Sequence, residues 1–266
     1  MGDAWALLRT DLADESTALD ALVDEPGADE LALPTPAEGW SIRAQLSHLA
    51  GFDEAAVLAA VDPAAFAADL ERRLRDGDDP IAAYTAQGRS MPATEVRAWW
   101  GRARGQLRST LDGLDPKQRV PWYGPPMSAM SHATARLMET WAHGVDVRDA
   151  LGCRIEPSAR LRHVAHLGIG ARPFAFANRG LALPDGPLDV VLEAPDGGSW
   201  RWGPGDAADR VEGPALDFCL LVTQRRHRDD VSLRVSGEGA EAWIAIAQAF
   251  AGAPGPGRAP GPPGRR

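Results

Sequence analysis

Residues 127–153, MSAMSHATARLMETWAHGVDVRDALGC, read as one long helix, started at Ser128 or Ser131 and stopped by Gly152. At about 100° per residue, His132, Arg136, His143, Asp146 and Ala150 all fall within about 60° of Glu139. Met130, Leu137, Trp141 and Val145 fall on the opposite side, between about 160° and 240° from Glu139. The helix therefore has an apolar face turned to a core and an unusually polar face opposite it. Glu139 and His143 stand four residues apart on that polar face, and two readings compete. A solvated surface explains the pair on its own. Two histidines, an arginine and two acids on one narrow stripe instead suit a metal centre, because a carboxylate and a neutral imidazole at i and i+4 reach the same cation. A third nitrogen from a neighbouring helix would complete a three-ligand site with an open position. His48 is the first candidate for it and His132 the second.

Outward from this helix, three more long amphipathic segments follow from apolar spacing. Trp5, Leu8, Leu12, Leu19 and Leu22 mark the first; the second begins after Ser41 and runs through IRAQLSHLAGFDEAAVLAAV, carrying His48 near its middle. Val96, Trp99, Trp100, Leu107 and Leu111 form one face of the third, which starts near Pro92. Shorter helices are expected in AAFAADLERRL and around residues 80–88. Four long helices within residues 1–155 predict a four-helix bundle. From Pro157 the pattern changes. A helix is expected through SARLRHVAHLGIGARPFAFA, then two strands flanking Asp196-Gly197-Gly198, a helix in ALDFCLLVTQRR, a strand in VSLRVSG and a helix in AEAWIAIAQAFAG. The fold class is thus α+β: a bundle over 1–155, a small α+β domain over 156–252, and a Pro/Gly-rich tail, 253–266, expected to be disordered.

Composition narrows the function. With 44% hydrophobic residues the 266-residue chain can bury an ordinary core, and its formal charge of −9 disfavours nucleic acid or an anionic membrane as partner. No apolar run is long enough to span a bilayer, and the acidic, amphipathic N-terminus lacks the basic start of an export signal, so a cytoplasmic location is expected. Cys153 and Cys219 have no CxxC partner and read as small buried residues, not as a disulfide or a thiolate zinc site. Abundant Ala, Gly, Pro and Arg with almost no Lys suggest GC-rich coding DNA of an actinobacterial kind.

The segments WSIRAQLSHLAGFDEAA and ARLMETWAHGVDVRDALG resemble the two signatures of the DinB-like superfamily, in its branch of mycothiol-dependent maleylpyruvate isomerases. That resemblance implies a divalent metal, usually zinc, held by His48, Glu139 and His143. It also implies a small electrophilic or carboxylated substrate and a low-molecular-weight thiol, mycothiol, acting in isomerisation or thiol transfer. LDFCLLVTQRRHRDDVSLRVSGEGAEAWIAIAQAFAG resembles the wyosine-base-formation-like C-terminal domain of a related actinobacterial metal-binding group; the acidic charge and lack of an iron–sulfur cysteine cluster argue against tRNA chemistry. Two other functions fit the same ligands: a metal-dependent hydrolase, lyase or cyclase of a biosynthetic pathway, and a non-catalytic metal-binding module.

Around the ligands, Arg136, His132 and Asp146 are candidates to support the metal or meet the substrate, and Trp122 and Tyr123 precede the helix as substrate contacts. Arg225 and Arg226, beside His227, are the second domain's candidates to clamp a carboxylate, against the alternative that they simply suit a helix C-terminus. His163 and His166 read as surface or interdomain residues, and Trp99 and Trp100 as core, with one of them available to line a pocket. Either a monomer or a homodimer is compatible with this reading.

Overall fold

Two of the long helices are started by side-chain caps. In a computed structural model describing residues 2–24 and 27–261, the oxygen of Ser41 accepts from the Ala44 amide at 3.3 Å and Ser128, not Ser131, caps the helix that follows it by accepting from the Ser131 amide at 3.1 Å. Gly152 closes that helix with φ 69°, a left-handed conformation that glycine adopts without Cβ strain.

The chain divides into two compact units, Met1–Ile155 and Glu156–Arg266. The first contains α1 (Gly2–Asp24), α2 (Ala28–Leu31), α3 (Ile42–Val61), α4 (Pro63–Asp76), α5 (Pro80–Ser90), α6 (Ala93–Asp112), a two-stranded ribbon of β1 (Arg119–Val120) and β2 (Met127–Ser128), and α7 (Ala129–Leu151). α3 packs against α6 and α7, and α1 against α7 and, less closely, α6, which closes a four-helix ring. Its main apolar cluster joins Leu19 and Val23 of α1, Leu31 of α2, Leu46 and Leu49 of α3, Trp99 and Trp100 of α6 and Val147 of α7. At about 1.5–3 kcal/mol for each fully buried large aliphatic or aromatic side chain, this cluster supplies much of the driving force of the bundle. Both tryptophans serve the core, and Trp99 satisfies its indole N–H on Glu54 at 2.7 Å.

The second unit contains α8 (Leu161–Gly170), α9 (Arg172–Ala177), β3 (Leu188–Glu193), β4 (Ser199–Trp202), β5 (Asp209–Pro214), α10 (Ala215–Val222), a 3-10 turn at Arg228–Asp230, β6 (Arg234–Ser236) and α11 (Glu238–Ile244). The sheet order is β4-β3-β5-β6, with β3 antiparallel to β4, parallel to β5, and β5 antiparallel to β6. The single helix expected over 158–177 is broken in two, because Pro173 sits in the first turn of α9 and has no amide hydrogen to continue α8. β5 was not foreseen: Asp209-Arg-Val-Glu-Gly-Pro214 carries a proline, a glycine and three charges, yet alternate residues are buried against β3.

Within the stretch 253–261, Gly261 N donates to Asp230 at 2.8 Å and Arg179 to the Gly255 carbonyl at 3.2 Å; residues 262–266 lie outside the described residues. One further expectation is corrected. Cys153 is exposed, because it follows the Gly152 cap and leaves the helix surface, whereas Cys219 is buried and donates to the Leu161 carbonyl at 3.4 Å. Burial pushes the Cys219 thiol pKa well up, so it is not a reactive thiolate. No helix among the described residues is long and apolar enough to cross a membrane.

Candidate metal centre

The polar stripe of α7 does not face water. His132 and Arg136 are 3% exposed and Asp146 0%, as buried as Leu137 and Val145 on the other side. The phase of the stripe was right and its surroundings were not, because α3 packs over it and meets it with polar groups of its own. A buried polar stripe is tolerated only where such partners exist.

Three side chains converge at that contact. His48, near the middle of α3, directs Nε2 to the Glu139 Oε2 of α7 at 3.3 Å, and His143, one turn beyond Glu139, directs Nε2 to the same oxygen at 3.1 Å. One ligand atom from each of His48, Glu139 and His143 lies within 4.8 Å of the others. Among the described residues no further His, Cys, Asp or Glu joins this group; His132 and Asp146 stay outside it. Glu139 keeps 24% of its side chain exposed, against 8% and 10% for the histidines, so the carboxylate marks the accessible side.

The surroundings fix the donor atoms. His143 Nδ1 is hydrogen-bonded to the Gln45 side-chain oxygen, one turn before His48 on α3. An amide oxygen only accepts, so this bond places the imidazole hydrogen on Nδ1 and leaves the Nε2 lone pair free. Gln45 Nε2 in turn donates to Thr35 Oγ1 at 2.8 Å, which locks the amide. Burial, reinforced by the neighbouring His143, lowers the His48 pKa to about 4, so its ring is neutral at neutral pH. At Glu139 burial pulls the pKa up, but the adjoining His143 and His48 rings outweigh it and hold the carboxyl well below its ordinary range. A neutral His48 and an ionised Glu139 are in the protonation states that metal binding requires.

Arg136 is not a free substrate clamp. Its guanidinium, on α7, pairs with Asp53 of α3 through Nε and Nη2, both at 2.9 Å from Oδ1, and reaches the Leu49 carbonyl at 3.4 Å. It fastens α7 to α3 instead. His132 packs on the edge of Trp122 at 4.4 Å, and burial, followed by the charge of Arg136, lowers its pKa to about 4; its Nε2 has no hydrogen-bond partner. Trp122 and Tyr123 belong to an aromatic cluster: Trp122 stacks on Phe66 at 5.9 Å, and Tyr123 meets Phe52 at 5.6 Å. Phe52 touches the His48 ring at 4.6 Å, while Trp40 stacks on His143 at 5.8 Å. Burial and the adjacent Tyr84 raise the Tyr123 pKa, so its hydroxyl stays protonated. Arg225 and Arg226 belong to the second unit, just after α10, and each directs a guanidinium nitrogen to a backbone carbonyl, Thr223 and Arg225 respectively, at 2.7 Å. His166 there accepts from the Trp202 indole at 3.3 Å.

Gln45, Asp53, Trp40 and Phe52 were not singled out from the sequence. The signal for the first two was available: both are polar residues within one and a half turns of His48 in a helix that is otherwise apolar on nearly every side.

Comparison with known proteins follows the same division of the chain. The family model described as mycothiol maleylpyruvate isomerase N-terminal domain matches residues 12–148, and the one described as wyosine base formation matches residues 190–235. Proteins described as uncharacterized in two strains of Mycobacterium tuberculosis are each 46% identical over 248 residues, covering 93% of this chain and 96% of theirs. Crystal structures of the mycothiol-dependent maleylpyruvate isomerase and of a mutant of it match with TM-scores of 0.57 and 0.56. They share 16% identity with this chain over 86% of its length and 92% of theirs, a likeness of fold.

Proposed function

The chain belongs to the family of the mycothiol maleylpyruvate isomerase N-terminal domain, and from that footing we propose that it is a zinc-dependent enzyme of the mycothiol-dependent isomerase type. His48, Glu139 and His143 hold the metal. A small electrophilic or carboxylated substrate is turned over by isomerisation or thiol transfer, with mycothiol or a related small thiol as co-reactant. The observation that carries this reading is the convergence of two imidazole nitrogens and one carboxylate oxygen with no fourth protein ligand among the described residues. A three-ligand N,N,O set suits catalytic zinc, whereas structural sites enclose the ion with four ligands. When bound there, zinc supplies the positive charge that lowers the pKa of a thiol or water and stabilises an anion.

The chain's own residues do the rest. Gln45 orients His143, and the Arg136–Asp53 pair keeps the α7 ligands in register with His48. Trp40, Phe52, Trp122 and Tyr123 provide flat, apolar surface near the ligands, which shields an unsaturated substrate from water and strengthens electrostatic contacts inside. His132 and Asp146, each two turns from Glu139, act as supports of α7 and not as contacts to the reacting atoms.

The test begins with metal. Purified protein should contain one zinc per chain by elemental mass spectrometry, and Glu139→Ala and His143→Ala should each lose it; full retention in both variants refutes the ligand set. Calorimetric titration of mycothiol into the zinc-loaded protein should give heat, and the protein should convert maleylpyruvate only when the thiol is present. Zinc without any response to millimolar thiol moves the assignment to metal-assisted hydrolysis, elimination or cyclisation.

A further inference from the structure

A cavity lies within the bundle, lined by none of the three ligands. It has a volume of about 250 Å³ and opens between α1 and α6, the most loosely packed pair of the ring, with Asp53 of α3 and Thr140 of α7 at its lining. Two glycines one turn apart on α6, Gly101 and Gly105, leave it open: a Cβ at either would meet nothing within 4 Å.

Its polar groups are unevenly satisfied. Asp53 is 3% exposed, yet both hydrogen bonds from Arg136 fall on Oδ1, and among the described residues none reaches Oδ2. Burial raises the Asp53 pKa above the ordinary carboxylate range even with Arg136 and Arg104 pulling it down, so one guanidinium under-compensates the charge. In the same lining, Ser16, Thr17 and Thr140 each donate their hydroxyl hydrogen at 2.9 Å to a carbonyl one turn back on their own helices, Leu12, Ala13 and Arg136. Their oxygens remain as acceptors. This part of the cavity offers acceptors and a negative charge, and asks for a donor-rich cation.

Other groups of the lining have the opposite character. Arg9 gives Nη1 to Asp112, but its Nε is buried without an acceptor. Arg108 lines the same cavity with an exposed guanidinium, and Arg104, stacked 4.4 Å over Trp100 and paired with Asp20 at 2.6 Å, lies one turn before it. These groups ask for an anion.

We propose that this cavity is a binding site for a small zwitterion of the amino-acid class, with its ammonium at Asp53 and the three hydroxyl oxygens and its carboxylate at Arg9 and Arg108. One ligand of that kind meets the unpaired Asp53 oxygen and the exposed Arg108 side chain together, which a simple anion or a simple amine does not.

The experiment uses the full-length protein and a graded series of ω-amino acids, glycine, β-alanine, 4-aminobutyrate and 5-aminovalerate, measured by calorimetry against butyrate and butylammonium. At least one zwitterion should bind tenfold or more tighter than either single-charge probe. Gly105→Leu, which fills open space and raises helix propensity, should keep the circular dichroism of the parent and weaken that ligand at least tenfold. Arg108→Ala, a change at an exposed side chain, should weaken it several-fold. Glu139→Ala should leave it unchanged, which separates this site from the metal ligands. The proposal is overturned by no binding across the series at millimolar concentration, by equal binding of butyrate or butylammonium, by binding that survives both Gly105→Leu and Arg108→Ala, or by loss of binding in Glu139→Ala.

Discussion

Asp53→Leu should destabilise the protein more than Arg136→Met, although the two side chains form one ion pair. Both are buried, with side chains 5% and 3% exposed and their charged atoms 2.9 Å apart. At that separation, in an effective dielectric of about 20, the attraction is roughly 6 kcal/mol, most of it cancelled by the cost of taking both charges out of water. Removing one partner leaves the other's desolvation uncompensated, at about 3–5 kcal/mol. The two singles differ because an arginine cannot shed its proton whereas a carboxylate can take one. The Asp53 pKa is already raised by burial and would rise further without Arg136. In Arg136→Met the carboxyl therefore neutralises, and its penalty should shrink as pH falls, because the folded state then holds a proton that the unfolded chain releases until pH 3.8. In Asp53→Leu the guanidinium stays charged at every accessible pH and the full penalty of about 3–5 kcal/mol remains. The double variant, with no buried charge left, should recover to within about 1–2 kcal/mol of the parent. Urea denaturation of all four proteins, metal-free, at pH 7.5 and pH 5.5 measures the cycle. Equal losses in the two singles at both pH values, or a double variant as unstable as the sum of the singles, would refute this account of the pair.

Gln45→Leu should retain zinc at saturation but bind it about 10–100-fold more weakly, since the amide only orients His143; competition with a chelator of known affinity measures the change. His132 takes a proton near pH 4 when folded and near 6.5 when unfolded. Between those values the unfolded chain binds more protons, so stability falls as pH drops through the window, by up to about 3 kcal/mol for this one residue. His132→Phe should flatten that part of a stability–pH profile, and an unchanged slope would contradict the assignment. Gly51→Ala should cost about 1–3 kcal/mol, because a Cβ at that point of α3 would enter the Tyr84 ring, which also packs edge-on against Phe52 at 5.3 Å; a thermal melt is sufficient to check it.

The four long helices were legible because each carries an apolar stripe and local stop signals, and those are properties of neighbouring residues. What lies against a stripe is not. The phase of His132, Arg136, Glu139, His143 and Asp146 follows from helical geometry alone, but the same phase describes a face in water and a face against polar groups of another helix. The deciding information sits on α3. Leu46, Leu49 and Ala50 are fully buried there, and so are Gln45 and Ser47, with His48 and Asp53 nearly so. A helix buried on that many sides has no solvated face on which to place a glutamine, a histidine and an aspartate, so each needs a partner from a neighbouring helix. Glu54 illustrates why the pairing itself still needed coordinates. It adjoins Asp53 in sequence and has the same charge, yet it accepts from Trp99 while Asp53 takes Arg136. β5 failed for a related reason: its burial comes from pairing with β3 in the sheet, and a segment with one strongly apolar residue in six advertises nothing locally. Apolar periodicity thus locates helices, whereas polar residues placed where a helix has no exposed side locate the candidate chemistry, and in this chain those residues on α3 lead both to the proposed metal ligands and, through Asp53, to the cavity between α1 and α6.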